Sequence, residues 1–236
     1  MNRRFSFGSA VACLFVGSIA AHAADLTSPA SPSMTYKASP AVPFSWTGFY
    51  IGVNGGYAGG TSGWSDPGVG ADSGKFNTSG GLLGGQIGYN WQTGPMVLGL
   101  ESDADWMSVK GNTAGAGGVC LADGGGLCQT QQSWVGTTRA RVGYAVDRWL
   151  PYITAGAAYG NIQAAQPTGT TSATNFGWTA GAGVEVALDR NWSAKLEYLH
   201  IDLGTANFVG SASGTQTLLV PATNDLVRAG VNFRFN

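Results

Sequence analysis

Met96-Val97-Leu98-Gly99-Leu100-Glu101-Ser102-Asp103-Ala104-Asp105-Trp106 is the stretch that decides the fold. Met96, Leu98, Leu100, Ala104 and Trp106 share one face, while Glu101, Asp103 and Asp105 share the other. A two-residue period of this kind belongs to a strand whose two faces meet different surroundings. A second run, Thr130 to Val146, answers the first: Trp134, Ala140, Val142, Tyr144 and Val146 fall on one side, Arg139 and Arg141 on the opposite side. An acidic face and a basic face in neighbouring strands can pair.

Working outward, the same alternation recurs in six more runs. Phe49 to Ala58 sets Phe49, Ile51, Val53 and Tyr57 against Tyr50, Gly52, Asn54 and Gly56. Gly81 to Trp91 puts Leu83, Ile87, Tyr89 and Trp91 together, and Leu150 to Gly160 has less distinct faces. Phe176 to Leu188 sets Trp178, Ala180, Ala182, Val184 and Val186 against Thr179, Glu185 and glycines. Trp192 to Ile201 opposes Trp192, Ala194, Leu196 and Tyr198 to Ser193, Lys195 and Glu197. Asp225 to Phe235 opposes Val227, Ala229, Val231, Phe233 and Phe235 to Arg228, Asn232 and Arg234. Short turns follow the second, fourth and sixth runs. Long connections are expected over 59–80, 111–129, 161–175 and 202–224. An even number of strands with tight turns at one end and long loops at the other predicts an all-β fold, an eight-stranded antiparallel up-and-down transmembrane β-barrel.

A soluble, lipocalin-like barrel shows the same alternation with its apolar face turned inward. Aromatic placement separates the two, because Tyr and Trp collect where an amphipathic ring meets both water and acyl chains. Phe49, Trp91, Tyr144 and Trp192 cluster toward the short-turn end, and Tyr57, Trp106, Trp134, Trp178 and Tyr198 toward the other. Ten residues at ~3.3 Å rise and ~40° tilt span ~25 Å, the height of a bilayer's apolar band. The expected lumen charge network is then Glu101, Asp103, Asp105, Arg139, Arg141, Glu185, Lys195, Glu197, Arg228 and Arg234. On the lipid side an Arg or Lys near midplane would cost about 2–4 kcal/mol.

Composition agrees. Of 236 residues, 38 are Gly and only 11% are charged, with a formal net charge of -1. Frequent aromatics exclude a disordered chain, and no basic patch points to nucleic acid. Arg3 and Arg4 precede the apolar run Phe5 to Ala21 and then Ala21-His22-Ala23, the pattern of a signal peptide over 1–23 cleaved near Ala23. Residues 24–45, with Pro29, Pro32, Pro40 and Pro43, form an expected Pro-rich periplasmic linker, and 46–236 the barrel domain. Cys120 and Cys128, an even pair in an exported chain, are expected to close a loop as a disulfide. No metal motif, cofactor fingerprint or catalytic set stands out.

At this point the chain resembles the outer-membrane β-barrel proteins of Gram-negative bacteria, of the porin-like, immunogenic surface-protein type. Carrying the resemblance are Trp46-Thr47-Gly48-Phe49-Tyr50-Ile51-Gly52, Gly84-Gly85-Gln86-Ile87-Gly88-Tyr89-Asn90, Leu150-Pro151-Tyr152 and Lys195-Leu196-Glu197-Tyr198. In the last strand Arg228, Gly230, Phe233 and Phe235 look like the C-terminal signal read by the barrel-assembly machinery, although the chain ends one residue later, at Asn236. The resemblance implies a cell outer membrane location, outer-membrane lipids as surroundings and an unidentified extracellular partner at the loops. The expected role is structural and surface-interactive, in envelope integrity and exposed antigenic loops, not enzymatic. Two alternatives remain at this level. One is a small-solute channel or a barrel that holds a ligand such as haem. The other is a membrane-embedded lipid-modifying enzyme built on His200, Asp202 and a loop Ser.

Overall fold

A computed structural model describes residues 44–68, 70–114, 127–166, 169–209 and 217–235. Eight strands follow one another: β1 (Gly48–Asp66), β2 (Ala71–Thr93), β3 (Met96–Ala114), β4 (Leu127–Tyr144), β5 (Trp149–Gln166), β6 (Gly169–Ala187), β7 (Trp192–Val209) and β8 (Thr217–Phe235). Each pairs antiparallel with its neighbour, and β1 pairs with β8 from Phe49↔Phe235 to Ser65↔Leu219, so the sheet closes into a barrel. The expected signal peptide, most of the expected linker and Cys120 lie outside the described residues, as does the side chain of Cys128.

Three tight turns join strands at one end. Gly94 takes a left-handed φ of 59° between β2 and β3, and Asp147 one of 52° between β4 and β5. Between β6 and β7 the backbone N–H groups of Asn191 and Trp192 donate to Asp189 Oδ1 at 2.8 and 2.7 Å. Those two bonds hold the Asp189 carboxyl below its ordinary pKa.

The expected long loops need correction. Strands run through most of 59–80, 161–175 and 202–224 and take in both ends of 111–129, leaving 67–70, 115–126, 167–168 and 210–216 between them. Strands of 18 to 23 residues result. At ~3.3 Å rise and ~40° tilt they stand ~45 Å or more tall, well beyond a ~25 Å apolar band. The extensions escaped the pattern because the faces exchange character along the barrel. On β7 the inward residues Ser193, Lys195 and Glu197 give way to Leu199, Ile201 and Leu203, all buried. Outward, Trp192, Leu196 and Tyr198 give way to His200 and Asp202. A strand leaving the bilayer for water needs a polar outside and gains by burying an apolar inside, so the alternation continues with its sign reversed. Bulges at Gly63/Ser65 and Asp202/Thr205 lie in these extensions, and those at Trp106/Val109 and Gln131/Val135 fall just before and just after 111–129; all four further disturb the period.

Inside, three layers stack along the axis. At the short-turn end Trp46, Val97, Leu150 and Ala187 form an apolar cluster with Phe44 against it. Charged side chains fill the middle. Toward the far end Trp64, Met107, Val135, Ile162, Ile201 and Leu226 belong to a larger apolar core. β5, whose orientation the sequence left indistinct, turns Leu150, Tyr152, Thr154 and Ala158 inward and Ile153 and Ala157 outward.

Strand glycines on the inner face let neighbouring chains close up. A Cβ on Gly56 would press on the Val227 carbonyl oxygen and lie 2.7 Å from Arg228 Cα, whereas one on the outward Gly59 would meet nothing within 4 Å. Gly56→Ala is therefore expected to cost about 1–3 kcal/mol through overpacking. Gly59→Ala should stay within about 0.5 kcal/mol. The urea midpoint of the gel-mobility difference between folded and heated protein reads both. Equal midpoints for the two variants would contradict the packing described.

Candidate functional site

β3 and β4 place Glu101, Asp103 and Asp105 beside Arg139 and Arg141 on inward positions, through pairs such as Glu101↔Arg139 and Gly99↔Arg141. β6, β7 and β8 bring Glu185, Lys195, Glu197 and Arg228 from across the lumen. All nine are at most 3% exposed. Arg228 is the most connected: its Nη1 donates to Asp105 Oδ2 at 2.7 Å, its Nη2 to Asp103 Oδ2 at 2.8 Å and its Nε to Glu197 Oε2 at 2.8 Å. Arg139 Nη2 donates to Glu101 Oε1 and to Asp103 Oδ2, both at 2.6 Å, and its Nη1 lies 3.1 Å from Glu197 Oε1. Lys195 Nζ donates to both oxygens of Glu101, at 2.8 and 3.0 Å, and Arg141 Nη2 to Glu185 Oε2 at 2.7 Å. These contacts cross the barrel, so the side chains fill the bore.

Arg234, the tenth residue expected in this network, is placed apart. Its guanidinium lies 5.0 Å from the Phe44 ring centroid and 4.6 Å from that of Trp46, and its Nη1 donates to the Ser45 carbonyl at 3.1 Å. Trp46 is fully buried, and its backbone N–H donates to Gln92 Oε1 at 2.7 Å. Phe44 to Trp46 thus cover the short-turn mouth, held by the last cation of β8. Two residues of the expected linker stretch, Phe44 and Ser45, pack against the barrel in this way.

Sequence reasoning missed the neutral partners of the charges. Tyr50 OH donates to Glu101 Oε2 and Tyr152 OH to Glu197 Oε1, each at 2.8 Å, and the Arg141 guanidinium lies 4.0 Å from the Tyr152 ring centroid. Ser193 Oγ and Asn232 Nδ2 donate to Glu185 Oε1 at 2.6 and 2.9 Å. Strand parity alone put Tyr50 and Asn232 on the inner face, which was the available signal. Trp64 had no such signal, lying in a stretch expected to be loop. Its Nε1 reaches across the bore to donate to Thr130 Oγ1 on β4 at 2.8 Å.

The outer wall carries the aromatic residues. Phe49, Tyr57, Trp91, Trp106, Trp134, Tyr144, Trp178, Trp192 and Tyr198 are all exposed there, Trp106 at 73%. On β8, Arg228 and Gly230 face inward while Phe233 and Phe235 face outward, with ring centroids 5.2 Å apart. His200 also faces outward, and its Nδ1 sits 2.8 Å from Asp225 Oδ1. Asp202, its expected acidic partner, accepts instead from the Gly204 backbone N–H at 2.8 Å. Among the described residues no group of His, Cys, Asp and Glu is arranged to hold a metal ion.

Residues 9–235 match the family described as the outer membrane protein beta-barrel domain. The 31 kDa outer-membrane immunogenic protein of Brucella melitensis biotype 1 is 39% identical over 248 residues, covering 96% of this chain and 98% of that protein. The 22 kDa outer membrane protein of Rhizobium leguminosarum bv. viciae is 36% identical over 166 residues, covering 70% and 67%. Among solved structures, OprG of Pseudomonas aeruginosa aligns with a TM-score of 0.50 at 18% identity, covering 80% of this chain and 97% of that one. At that identity the likeness concerns the fold alone.

Removing one member of a buried ionic network leaves its partners charged and unpaired. Arg228→Gln leaves Asp105 buried without a cation and Asp103 and Glu197 with Arg139 as their close arginine, so a loss of about 3–5 kcal/mol is expected. Lys110→Gln, on the exposed outer wall, should change stability by no more than about 0.5 kcal/mol. Urea unfolding in detergent micelles measures both. An Arg228→Gln barrel as stable as the parent would refute the network's structural role.

Proposed function

The chain belongs to the outer membrane protein beta-barrel domain family, and from that premise we propose that it is a sealed barrel that builds the envelope and displays a surface, with neither pore nor catalyst inside. It is an integral outer-membrane barrel with a surface, antigenic role, in keeping with relatives named as immunogenic outer-membrane proteins. The observation that carries the sealed reading is the filled bore. Eight strands enclose only enough room for side chains. Here that room is taken at three levels: by Trp46 and Leu150, by the Arg139, Lys195 and Arg228 network, and by Trp64, Ile162 and Ile201.

A solute channel would need a continuous wet path, and each of these levels interrupts one. A lipid-modifying enzyme would need a nucleophile beside His200. Asp225 holds one ring nitrogen of His200, and among the described residues no hydroxyl is hydrogen-bonded to the other. The loops at the far end, including the segment between Cys120 and Cys128, are the surface offered to an extracellular partner, and the two cysteines close that segment as a disulfide. Arg228, Gly230, Phe233 and Phe235 serve the assembly machinery on the way into the membrane. Outward aromatic side chains then hold the barrel at its depth in the lipid.

Two measurements test this. In planar bilayers the refolded barrel should give no steady single-channel steps. Arg139→Ala should stay silent too, because the apolar layers above and below still close the bore. Reproducible conductance from the parent protein would overturn the sealed reading. In intact cells an epitope placed in 115–126 should be accessible to antibody, and one placed at Gly94 should be accessible only after permeabilisation. The reverse pattern would invert the orientation on which the display role depends.

A further inference from the structure

Beneath the residues that cover the short-turn mouth lie buried polar atoms that the charge network does not use. Asn90 on β2 is fully buried, and neither its amide nitrogen nor its amide oxygen is hydrogen-bonded within the protein. The indole Nε1–H of Trp46 and the Nε–H groups of Arg141 and Arg234 are likewise buried and have no acceptor in the protein. A buried polar group without a partner is costly, and most such groups in folded proteins are satisfied.

The strands bring these residues together. Asn90 and Arg141 flank Gly99 through the pairs Asn90↔Gly99 and Gly99↔Arg141. A Cβ on Gly99 would press on Asn90 Oδ1 and lie 2.8 Å from Arg141 Cγ and 3.1 Å from Arg141 Cδ, so the glycine lets the amide meet the arginine stem. One inward step nearer the mouth on β3, Val97 belongs to the apolar cluster that holds Trp46. The Arg234 guanidinium lies 4.6 Å from the Trp46 ring centroid. Arg234 also pairs in register with Tyr50, whose hydroxyl accepts from Arg141 Nη1 at 3.2 Å. Trp46 and Arg234 therefore form a roof over Arg141, with Asn90 at its side.

Donors outnumber acceptors here. Indole and guanidinium nitrogens only donate, so Trp46, Arg141, Arg234 and the Asn90 amide nitrogen share a single unpartnered acceptor, Asn90 Oδ1. Charge is unbalanced in the same sense. Arg141 Nη2 donates to Glu185 at 2.7 Å, and Glu101 Oε2, 3.6 Å from Arg141 Nη1, is already held by Lys195. Among the described residues no carboxylate lies within ion-pair distance of Arg234, which packs on Phe44 and Trp46 instead. Deeper in the bore the unpartnered atoms are mainly oxygens, those of Asn54, Asp103, Asp105 and Asn224, so the donor excess is particular to the mouth. A water molecule would bring two hydrogens of its own to a place with one acceptor. A small anion only accepts, and it matches both the donor count and the surplus positive charge.

We infer that the barrel binds a halide ion, chloride in ordinary media, among Trp46, Asn90, Arg141 and Arg234. The ion accepts from the indole and the amide and lies against the two guanidinium groups, which ties the segment from Phe44 to Trp46 to the strands beneath it. Trp46 shuts the site from solvent, so a bulky anion such as gluconate does not enter.

Urea unfolding of the refolded barrel in micelles, read by the gel-mobility difference on heating, tests the inference in sodium chloride, sodium bromide and sodium gluconate at equal ionic strength. Saturating chloride or bromide is expected to lower the unfolding constant about tenfold relative to gluconate. Trp46→Phe keeps a ring on Arg234 and removes the indole donor, whereas Asn90→Leu removes the amide. Each should erase most of the difference between salts, and Lys110→Gln, on the outer wall, should keep all of it. Equal stability in the three salts, or a halide effect that survives both variants, would overturn the inference. Crystals grown in bromide give a second reading: an anomalous peak beside Trp46 Nε1 and Asn90 is expected, and a site holding water only would overturn it. Should Asn90→Leu not fold, Trp46→Phe decides.

Discussion

Backbone hydrogen bonding in a medium without water is the constraint on which the rest of the structure depends. Inside a bilayer every N–H and C=O must find its partner within the chain, and a strand edge left open would forfeit several kcal/mol at each unpaired group. Pairing β1 with β8 removes the last edge. Eight strands so closed leave a narrow bore, and what fills it must be small or interlocked. Gly56 and Gly84 meet the first requirement, because a Cβ at either would run into the neighbouring strand. Arg139, Lys195 and Arg228 meet the second by threading among carboxylates from opposite walls.

The interior changes along the axis because its surroundings change. At bilayer depth the outside is apolar by necessity, so burial of apolar surface inside adds nothing that lipid does not already supply. Geometry then decides, and five buried carboxylates meet four cations whose donors point at them, with Arg234 set apart at the mouth. Beyond the bilayer the strands stand in water and the ordinary hydrophobic rule returns. Leu199, Ile201 and Leu203 follow Glu197 on the same inward face of β7 for that reason. A single chain therefore behaves as a membrane barrel over one part of its height and as a soluble barrel over the rest.

The same change set the limit of what the amino-acid sequence disclosed. Where apolar residues faced lipid, as in Met96 to Trp106 and Trp192 to Tyr198, parity told which side each residue occupies, and nine of the ten inward charges meet in one network. In the extensions the apolar face moved inside, the outside became Gly, Ser, Thr and Asn, and bulges interrupted the count, so strand was read as loop. Trp64 and Ile162 were hidden by that reading. Arg234 was assigned by parity to the right face, but height along the barrel is set by stagger between strands, which a single strand's pattern does not contain. The plug of Phe44 and Trp46 was equally invisible, because a Pro-rich approach carries no periodicity.

Accessibility of spin labels placed singly along β7 from Ser193 to Ala206, in protein reconstituted into liposomes, tests the central claim most directly. Lipid-soluble oxygen should reach labels at Ala194, Leu196 and Tyr198, and a water-soluble nickel complex should reach those at His200, Asp202 and Gly204. Neither reagent should reach labels at Lys195, Glu197, Leu199 or Ile201, because those positions face a filled bore. Contact between the nickel complex and labels at Lys195 or Glu197 would mean a wet lumen and would contradict the account.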